Sequence, residues 1–353
     1  MSDRMVFAYS GGASSSEALA RHAGREGAEV VAVVVDIGQG RELEGIRERA
    51  LAAGAIRCHV LDLEAAFAKE LVWPAVCAGA DPDLPHATVA APLFAQALLE
   101  LARVERAAEV AHGARGPAAR QLEASLRSLD PAVRVHPGDG DVRVNRSAVI
   151  DDLEARGRSG ADAPLRVERS LWGRRVTGTS LSDPWVEPPN GVFSLTRAPE
   201  ACPDQRAGLE IAFERGTPVA VNGVSLPLVE LLRSLDTIAG VHGVGRFDLA
   251  ALDDDGRLCR EAREAPALTT LRLAHRALER LATTHEEAAM RRQAGDQYTA
   301  LLRAGLWHAP GRRALDASIE AVQSRVSGVV RLTLSKDTHA WWAGGRKGMI
   351  GRR

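Results

Sequence analysis

Lysine is almost missing from this chain: only Lys69, Lys336 and Lys347 are lysines among 45 basic residues, and arginine supplies the rest. With 46 acidic residues the formal net charge is −1. No bulk field therefore draws the chain to nucleic acid or to an anionic membrane surface. The arginine skew, together with abundant alanine and glycine, has the look of a coding bias. Cysteine is scarce as well. Cys58, Cys77, Cys202 and Cys259 are scattered, with no C-x-x-C spacing and no histidine clustered beside them, which argues against a metal site or a disulfide framework and for reduced, buried thiols. No apolar run approaches the roughly 20 residues of a membrane span, and no apolar core follows a basic start at the N-terminus. The expectation is a cytoplasmic protein with neither nucleic acid nor membrane as partner. No repeat or low-complexity tract is present.

What is present fits a globular protein of about two domains: 353 residues, 45% apolar and 26% charged. The chain is organised around Met5 to Ser16, where an apolar run meets a Ser-Gly-Gly corner and three serines that open a helix near Glu17. Gly11 and Gly12 allow backbone angles closed to other residues, so main-chain N–H groups can approach a ligand. A helix N-terminus adds unpaired N–H groups and a positive dipole end, and phosphate is the natural guest. The alternative is a plain turn, with Ser14 and Glu17 forming a capping box that needs no ligand. Glu29 to Ile37 is apolar nearly throughout, as a parallel strand covered on both faces should be. The pair makes a βαβ unit, whose ligands sit beyond the carboxyl ends of the strands.

Further along, helices are predicted at 41–53, 64–78 (interrupted or kinked at Pro74), 88–106, 117–129 and 147–156. Strands are predicted at 56–63, 108–111 and 133–135. This alternation predicts a doubly wound parallel α/β sheet over residues 1–165. Residues 158–164 read as a linker, and the Gly/Pro-rich stretch 172–190 excludes long helices. A hairpin (209–213 with 218–221, turned at Arg215-Gly216), helices at 226–239, 268–283, 285–304 and 312–323, and a strand at 328–334 suggest an α+β domain over 166–353.

Several stretches together resemble the argininosuccinate synthase family. They are Ala8 to Gly12 (AYSGG), Val34 to Gln39 (VVDIGQ), Val72 to Ala75 (VWPA), Ala111-His112-Gly113, Ser170 to Arg174 (SLWGR), Asp183 to Pro188 (DPWVEP), Val219 to Gly223 (VAVNG), His242 to Arg246 (HGVGR) and Ala274-His275-Arg276. The resemblance implies an ATP-pyrophosphatase (SGG-loop) nucleotide-binding domain joined to a synthetase domain. It also implies ATP as cofactor: ATP is cleaved to AMP and pyrophosphate, a ureido oxygen is adenylated, and an amine displaces AMP. Such chemistry asks for positioning and charge stabilisation rather than a protein nucleophile, and no residue is assigned a catalytic role. Carried over by position, the ATP contacts are Ala8, Tyr9, Ser10, Gly11, Gly12, Ser14, Ser15, Ser16, Val35 and Gly113. Ser14 stands where the family has an aspartate, which puts the accompanying Mg2+ in question, because hard cations prefer carboxylate oxygen.

The substrate positions depart much further. Arg115 stands at an aspartate-binding Thr, Ala119 at an Asn touching both amino acids, Arg120 at an aspartate-binding Asp and Glu123 at a citrulline-binding Arg. Leu84 and Val89 replace a citrulline Tyr and Ser. Arg166 and Arg175 replace citrulline-contacting serines, Arg263 a Tyr, and Ala251 a Glu. Reversing such charges turns attraction into repulsion. The expectation is therefore a family fold acting as an ATP-dependent C–N ligase on other small molecules, possession of so many arginines suggesting an anionic one. The alternatives are a non-catalytic nucleotide-binding or protein-interaction homologue and an ordinary argininosuccinate synthase. Drift in an arginine-rich chain is the competing account of the arginines. A homo-oligomer is expected, a dimer rather than the family's tetramer, because the chain ends at Arg353 where the family continues into a helical arm. Trp341-Trp342 is then an exposed remnant or a packed pair.

Overall fold

The apolar run at the N-terminus forms β1 (Asp3–Ala8), which lies parallel between β2 (Ala28–Asp36) and β4 (Glu109–His112). β3 (Arg57–Asp62) and β5 (Arg134–His136) complete a five-stranded parallel sheet of order β3-β2-β1-β4-β5. This computed structural model describes residues 3–40, 43–137, 165–178, 181, 186, 188–252 and 258–336. Six consecutive residues of β2, Val30 to Val35, are buried. Their alternation sends Val30, Ala32 and Val34 to one apolar cluster with Leu19 and Ile46, and Val31, Val33 and Val35 to another with Phe67, Leu84 and Leu98. Helices α1 (Ala13–Ala23) and α2 (Leu43–Ala52) thus cover one face. The other face is covered by α3 (Glu64–Phe67), a π-helical turn (Ala68–Val72), α4 (Trp73–Ala78) and α5 (His86–Glu105). The fold is α/β, doubly wound as expected.

Three sequence readings are corrected here. α1 begins at Ala13 with Gly12 as its N-cap, so Ser14 lies inside the helix and not at the N-cap position that a Ser14–Glu17 capping box requires. The predicted helix over 64–78 is interrupted by the π-helical turn, and Pro74 sits harmlessly in the first turn of α4. α5 is long and apolar enough to cross a membrane by length and composition, contrary to the expectation that no segment is; 67% of its most apolar window is buried, as in a core helix.

The second half carries two antiparallel sheets. β8 (Ala207–Glu214) and β9 (Thr217–Val221) form the expected hairpin, extended by β10 (Val224–Ser225) on one side and β13 (Gly328–Leu334) on the other. β6 (Arg166–Ser170), β7 (Gly173–Thr177), β11 (Arg246–Leu252) and β12 (Leu258–Glu264) form a sheet of order β11-β12-β7-β6 that the sequence did not announce. Helices α6 (Gly116–Leu129), α7 (Leu228–Val241), α8 (Pro266–Ala282), α9 (His285–Ala304) and α10 (Pro310–Gln323) complete the described elements. The predicted helix at 147–156, the linker at 158–164, Asp183-Pro184-Trp185 and Trp341-Trp342 lie outside the described residues.

One apolar cluster runs from Val6 and Leu98 through Trp172 to Leu232 and Leu271, so the two halves share a core. The loop before α5 is fastened to the second half residue by residue. Arg272 donates to the Ala80 carbonyl at 2.9 Å, Asp81 N donates to Thr299 Oγ1 at 2.9 Å, and Arg303 pairs with the Asp81 carboxylate at 2.6 Å. Arg263 pairs with Asp83 at 2.8 Å, Trp172 Nε1 donates to the Leu84 carbonyl at 2.9 Å, and His86 Nδ1 lies 2.8 Å from Ser170 Oγ.

Candidate functional site

At the carboxyl end of β1 the chain turns through Ser10, Gly11 and Gly12 into α1. Gly11 has φ +75°, and a Cβ there would meet Ile46 Cγ2 at 2.8 Å, so both conformation and space select glycine. The serines behind it are tied into the turn. Ser10 Oγ donates to Ser15 Oγ at 3.0 Å, the Ser15 and Ser16 hydroxyls donate to the Gly12 carbonyl at 2.9 and 3.1 Å, and Tyr9 Oη bonds Ser16 Oγ at 2.6 Å. With the hydroxyls engaged by the Gly12 carbonyl, the first-turn N–H groups of α1 remain for an anion. Gly113, at the end of β4, packs on this turn; a Cβ added there would lie 3.3 Å from Ser15 Cα. Ala8 and Val35 occupy neighbouring strands at the same sheet end, Ala8 paired with His112 and Val33. The end of β2 is fixed by Gln39, whose side chain accepts from Ile37 N and donates to the Val35 carbonyl, both at 2.7 Å. The ten positions expected to meet nucleotide thus gather at one sheet end, Ser14 by its place in α1.

The six predicted substrate residues fall into two groups. Arg115 is the N-cap residue of α6, Arg120 is exposed on that helix, and neither makes an ion pair among the described residues. Glu123 lies 3.6 Å from the buried His112 ring and 3.3 Å from Arg127. Burial, the larger influence, holds His112 below its ordinary value despite the carboxylate beside it. The other three share one sheet face. The pairing register sets Glu168 opposite Arg175 and Arg175 opposite Arg263, with Arg166, Thr177 and Glu261 forming the next row. Carboxylates balance these charges: Arg175 pairs with Glu261 at 2.6 Å and Glu168 at 3.7 Å, Arg166 with Glu168 at 3.1 Å, and Arg263 with Asp83 at 2.8 Å. The expected positive cluster is therefore a charge-balanced network on this face. Leu84 and Val89 are only 1% and 0% exposed, part of the core rather than of an open cleft.

The sequence reading missed His86, Asp83 and Glu264. His86 is buried, and burial, reinforced by Arg263 and Arg175, pushes its pKa down to about 3, so the ring is neutral. Glu264 is buried between Arg174 at 2.8 Å and the loop after β7, accepting from Ser194, Leu195 and Thr196 main-chain N–H groups at 2.8 to 2.9 Å. A lone histidine and acids in charged strings leave no periodic trace by which to find them. Among the described residues no group of three or more His, Cys, Asp or Glu side chains could hold a metal ion.

Comparison with known proteins agrees across the chain. Residues 4–157 match the family description "Arginosuccinate synthase N-terminal HUP domain", and residues 166–347 match "Arginosuccinate synthase C-terminal domain". Among similar curated proteins, the argininosuccinate synthase of Carboxydothermus hydrogenoformans is 37% identical over 95% of this chain and 86% of its own length. That of Gloeobacter violaceus is 39% identical over 95% and 86%, and that of Brevibacillus brevis 36% identical over 95% and 82%.

Proposed function

The chain belongs to the argininosuccinate synthase family, and from that premise we propose that it is an ATP-dependent C–N ligase whose two small-molecule substrates differ from citrulline and aspartate. ATP binding is carried by the corner at Ser10 to Ser16 with Gly113 packed on it. Residues 1–165 hold the nucleotide and residues 166–353 supply the wall for the second substrate. A nucleophilic oxygen of the first substrate attacks the α-phosphorus of ATP, and the bond to the bridging oxygen breaks, releasing pyrophosphate. The amine of the second substrate then forms the C–N bond as the C–O bond to AMP breaks, and the amine proton passes to solvent or to the leaving phosphate. The protein's part is to align these atoms and to offset the developing charge. Main-chain N–H groups at the α1 N-terminus meet phosphate without help from any side chain. A Mg2+ ion accompanying the nucleotide would meet a serine hydroxyl at position 14 rather than the carboxylate oxygen that hard cations prefer.

The observation that supports altered substrates is the sheet face itself. Arg175 and Arg263 pair with Glu261 and Asp83, and Leu84 and Val89 are core residues. A neutral ureido group would find guanidinium groups paired with carboxylates where the family offers neutral hydroxyls. The second reading, ordinary argininosuccinate synthesis, is favoured by the names of the relatives. One assay separates the two: pyrophosphate release measured with citrulline and aspartate, with panels of other carboxylates and amines, and with no substrate. Release that depends on a panel member, and not on citrulline with aspartate, supports altered substrates. Robust argininosuccinate formation overturns it.

A further inference from the structure

Three features of the buried sheet face stand outside the reaction as described. The first is a like-charged pair, because the register places Arg175 directly opposite Arg263 on adjacent strands. Like charges facing each other across a sheet are unfavourable unless carboxylates offset them. The second is where those carboxylates come from. Glu168 and Glu261, which serve Arg175, belong to the same sheet, whereas Asp83, which serves Arg263, comes from the loop before α5. The Asp83 side chain is 61% exposed while that of Arg263 is 5% exposed. A buried guanidinium is thus closed from the solvent side by a carboxylate on a surface loop.

The third is His86. Its Nε2 is buried and has no hydrogen-bond partner, although the residue is 6% exposed. Ser170 Oγ accepts the Trp172 N–H at 3.1 Å and lies 2.8 Å from His86 Nδ1, which leaves Nε2 as the ring atom without a partner. Arg263 and Arg175 are near enough for their charges to act on this ring. A buried ring nitrogen without a partner is costly.

We propose that Arg263 is the subsite for a substrate carboxylate, and that Asp83 is an internal stand-in which the incoming carboxylate displaces. Exchange of one carboxylate for another keeps the buried guanidinium paired throughout, so the step avoids stranding a charge. Arg175 stays with Glu261 and does not take part. The inference rests on the ligase reading insofar as it names a substrate class, but its test needs neither ATP nor turnover.

The probe is succinate, with chloride at matched ionic strength as control, read by calorimetry and by thermal melting on the full chain. Asp83→Ala removes the stand-in from an exposed position, and Asp83→Asn keeps its shape without the charge. Both variants are expected to melt below wild type in chloride, to recover in succinate, and to bind succinate about tenfold tighter than wild type or more, as expected when a competing charged partner is removed. Adding Arg263→Lys to Asp83→Asn should abolish the gain. If the Asp83 variants melt early and succinate neither rescues nor binds, Asp83–Arg263 is only a structural staple and the proposal falls. It falls equally if the gain survives Arg263→Lys. Failure of pyrophosphate release would instead count against the ligase reading and leave this binding result standing.

Discussion

Trp172 donates its indole N–H to the carbonyl oxygen of Leu84 across 2.9 Å, tying the turn between β6 and β7 to the loop that precedes α5. Trp172 is wholly buried, and the Arg272 guanidinium stands 5.0 Å from its ring centre. This contact holds the second half against the first at Leu84, the residue after Asp83. Trp172→Phe keeps most of the apolar volume but leaves the Leu84 carbonyl without its donor. It should cost about 1–3 kcal/mol, and Trp172→Ala about 3–5 kcal/mol. Urea unfolding checks both; a phenylalanine variant as stable as wild type would mean that the bond contributes nothing across this seam.

Gly11→Ala tests the nucleotide corner. The φ of +75° and the 2.8 Å approach to Ile46 both oppose a Cβ. The left-handed conformation alone costs an L-residue about 1–2 kcal/mol, and relaxing it would rotate the N–H groups that face phosphate. ATP affinity should fall further than the melting temperature accounts for, measured by calorimetry beside thermal melting. A variant with wild-type affinity would show that these N–H groups do not contact nucleotide.

Much of the first sheet could be read from the sequence because its strands are buried on both faces, so β2 announces itself as an unbroken apolar run. The β6–β7 and β11–β12 hairpins escaped notice for the opposite reason. Arg166, Glu168, Arg175, Glu261 and Arg263 sit on one face of that sheet, and pairing among themselves lets charged side chains take positions that normally read as apolar. The strings RVERS, GRRVT and LCREARE therefore look like solvated segments. The Gly-Gly corner was legible because its conformation demands glycine whatever the rest of the chain does. His86, Asp83 and Glu264 were not, since each acquires its role from a neighbour more than 60 residues away, such as Ser170, Arg263 or Ser194.

Glu264→Gln should be among the most damaging single changes in the second half. One carboxylate oxygen accepts from Leu195 N, Thr196 N and Thr196 Oγ1, and the other from Ser194 N and from Arg174. Glutamine would turn an NH2 donor toward N–H groups and leave the Arg174 charge buried without its counter-charge. Losing one partner of such a pair costs about 3–5 kcal/mol. The loss should appear in the urea midpoint with an unchanged slope, and a loss below about 1 kcal/mol would mean that the loop relaxes to bring in water.

Asp236, on α7, accepts the Ala267 N–H at 2.9 Å in the first turn of α8. Burial dominates its environment and raises its pKa from 3.8 to about 6, against the lowering influence of that N–H and of Arg169. The folded chain therefore binds more protons than the unfolded chain between about pH 4 and pH 6. In that window stability contributed by this group falls as pH rises, because the charge that forms must be held away from water. A shift of this size corresponds to up to about 3 kcal/mol. Asp236→Asn keeps an oxygen for the Ala267 N–H and removes the charge. It should match wild type near pH 4 and exceed it in stability above pH 6.5, measured by urea unfolding at both values. The opposing effect is the positive end of α8, which favours a carboxylate by about 0.3–1 kcal/mol at exposed sites, less than the burial penalty. If the asparagine variant is instead the weaker protein at neutral pH, the carboxylate is charged and serves α8 as an electrostatic cap.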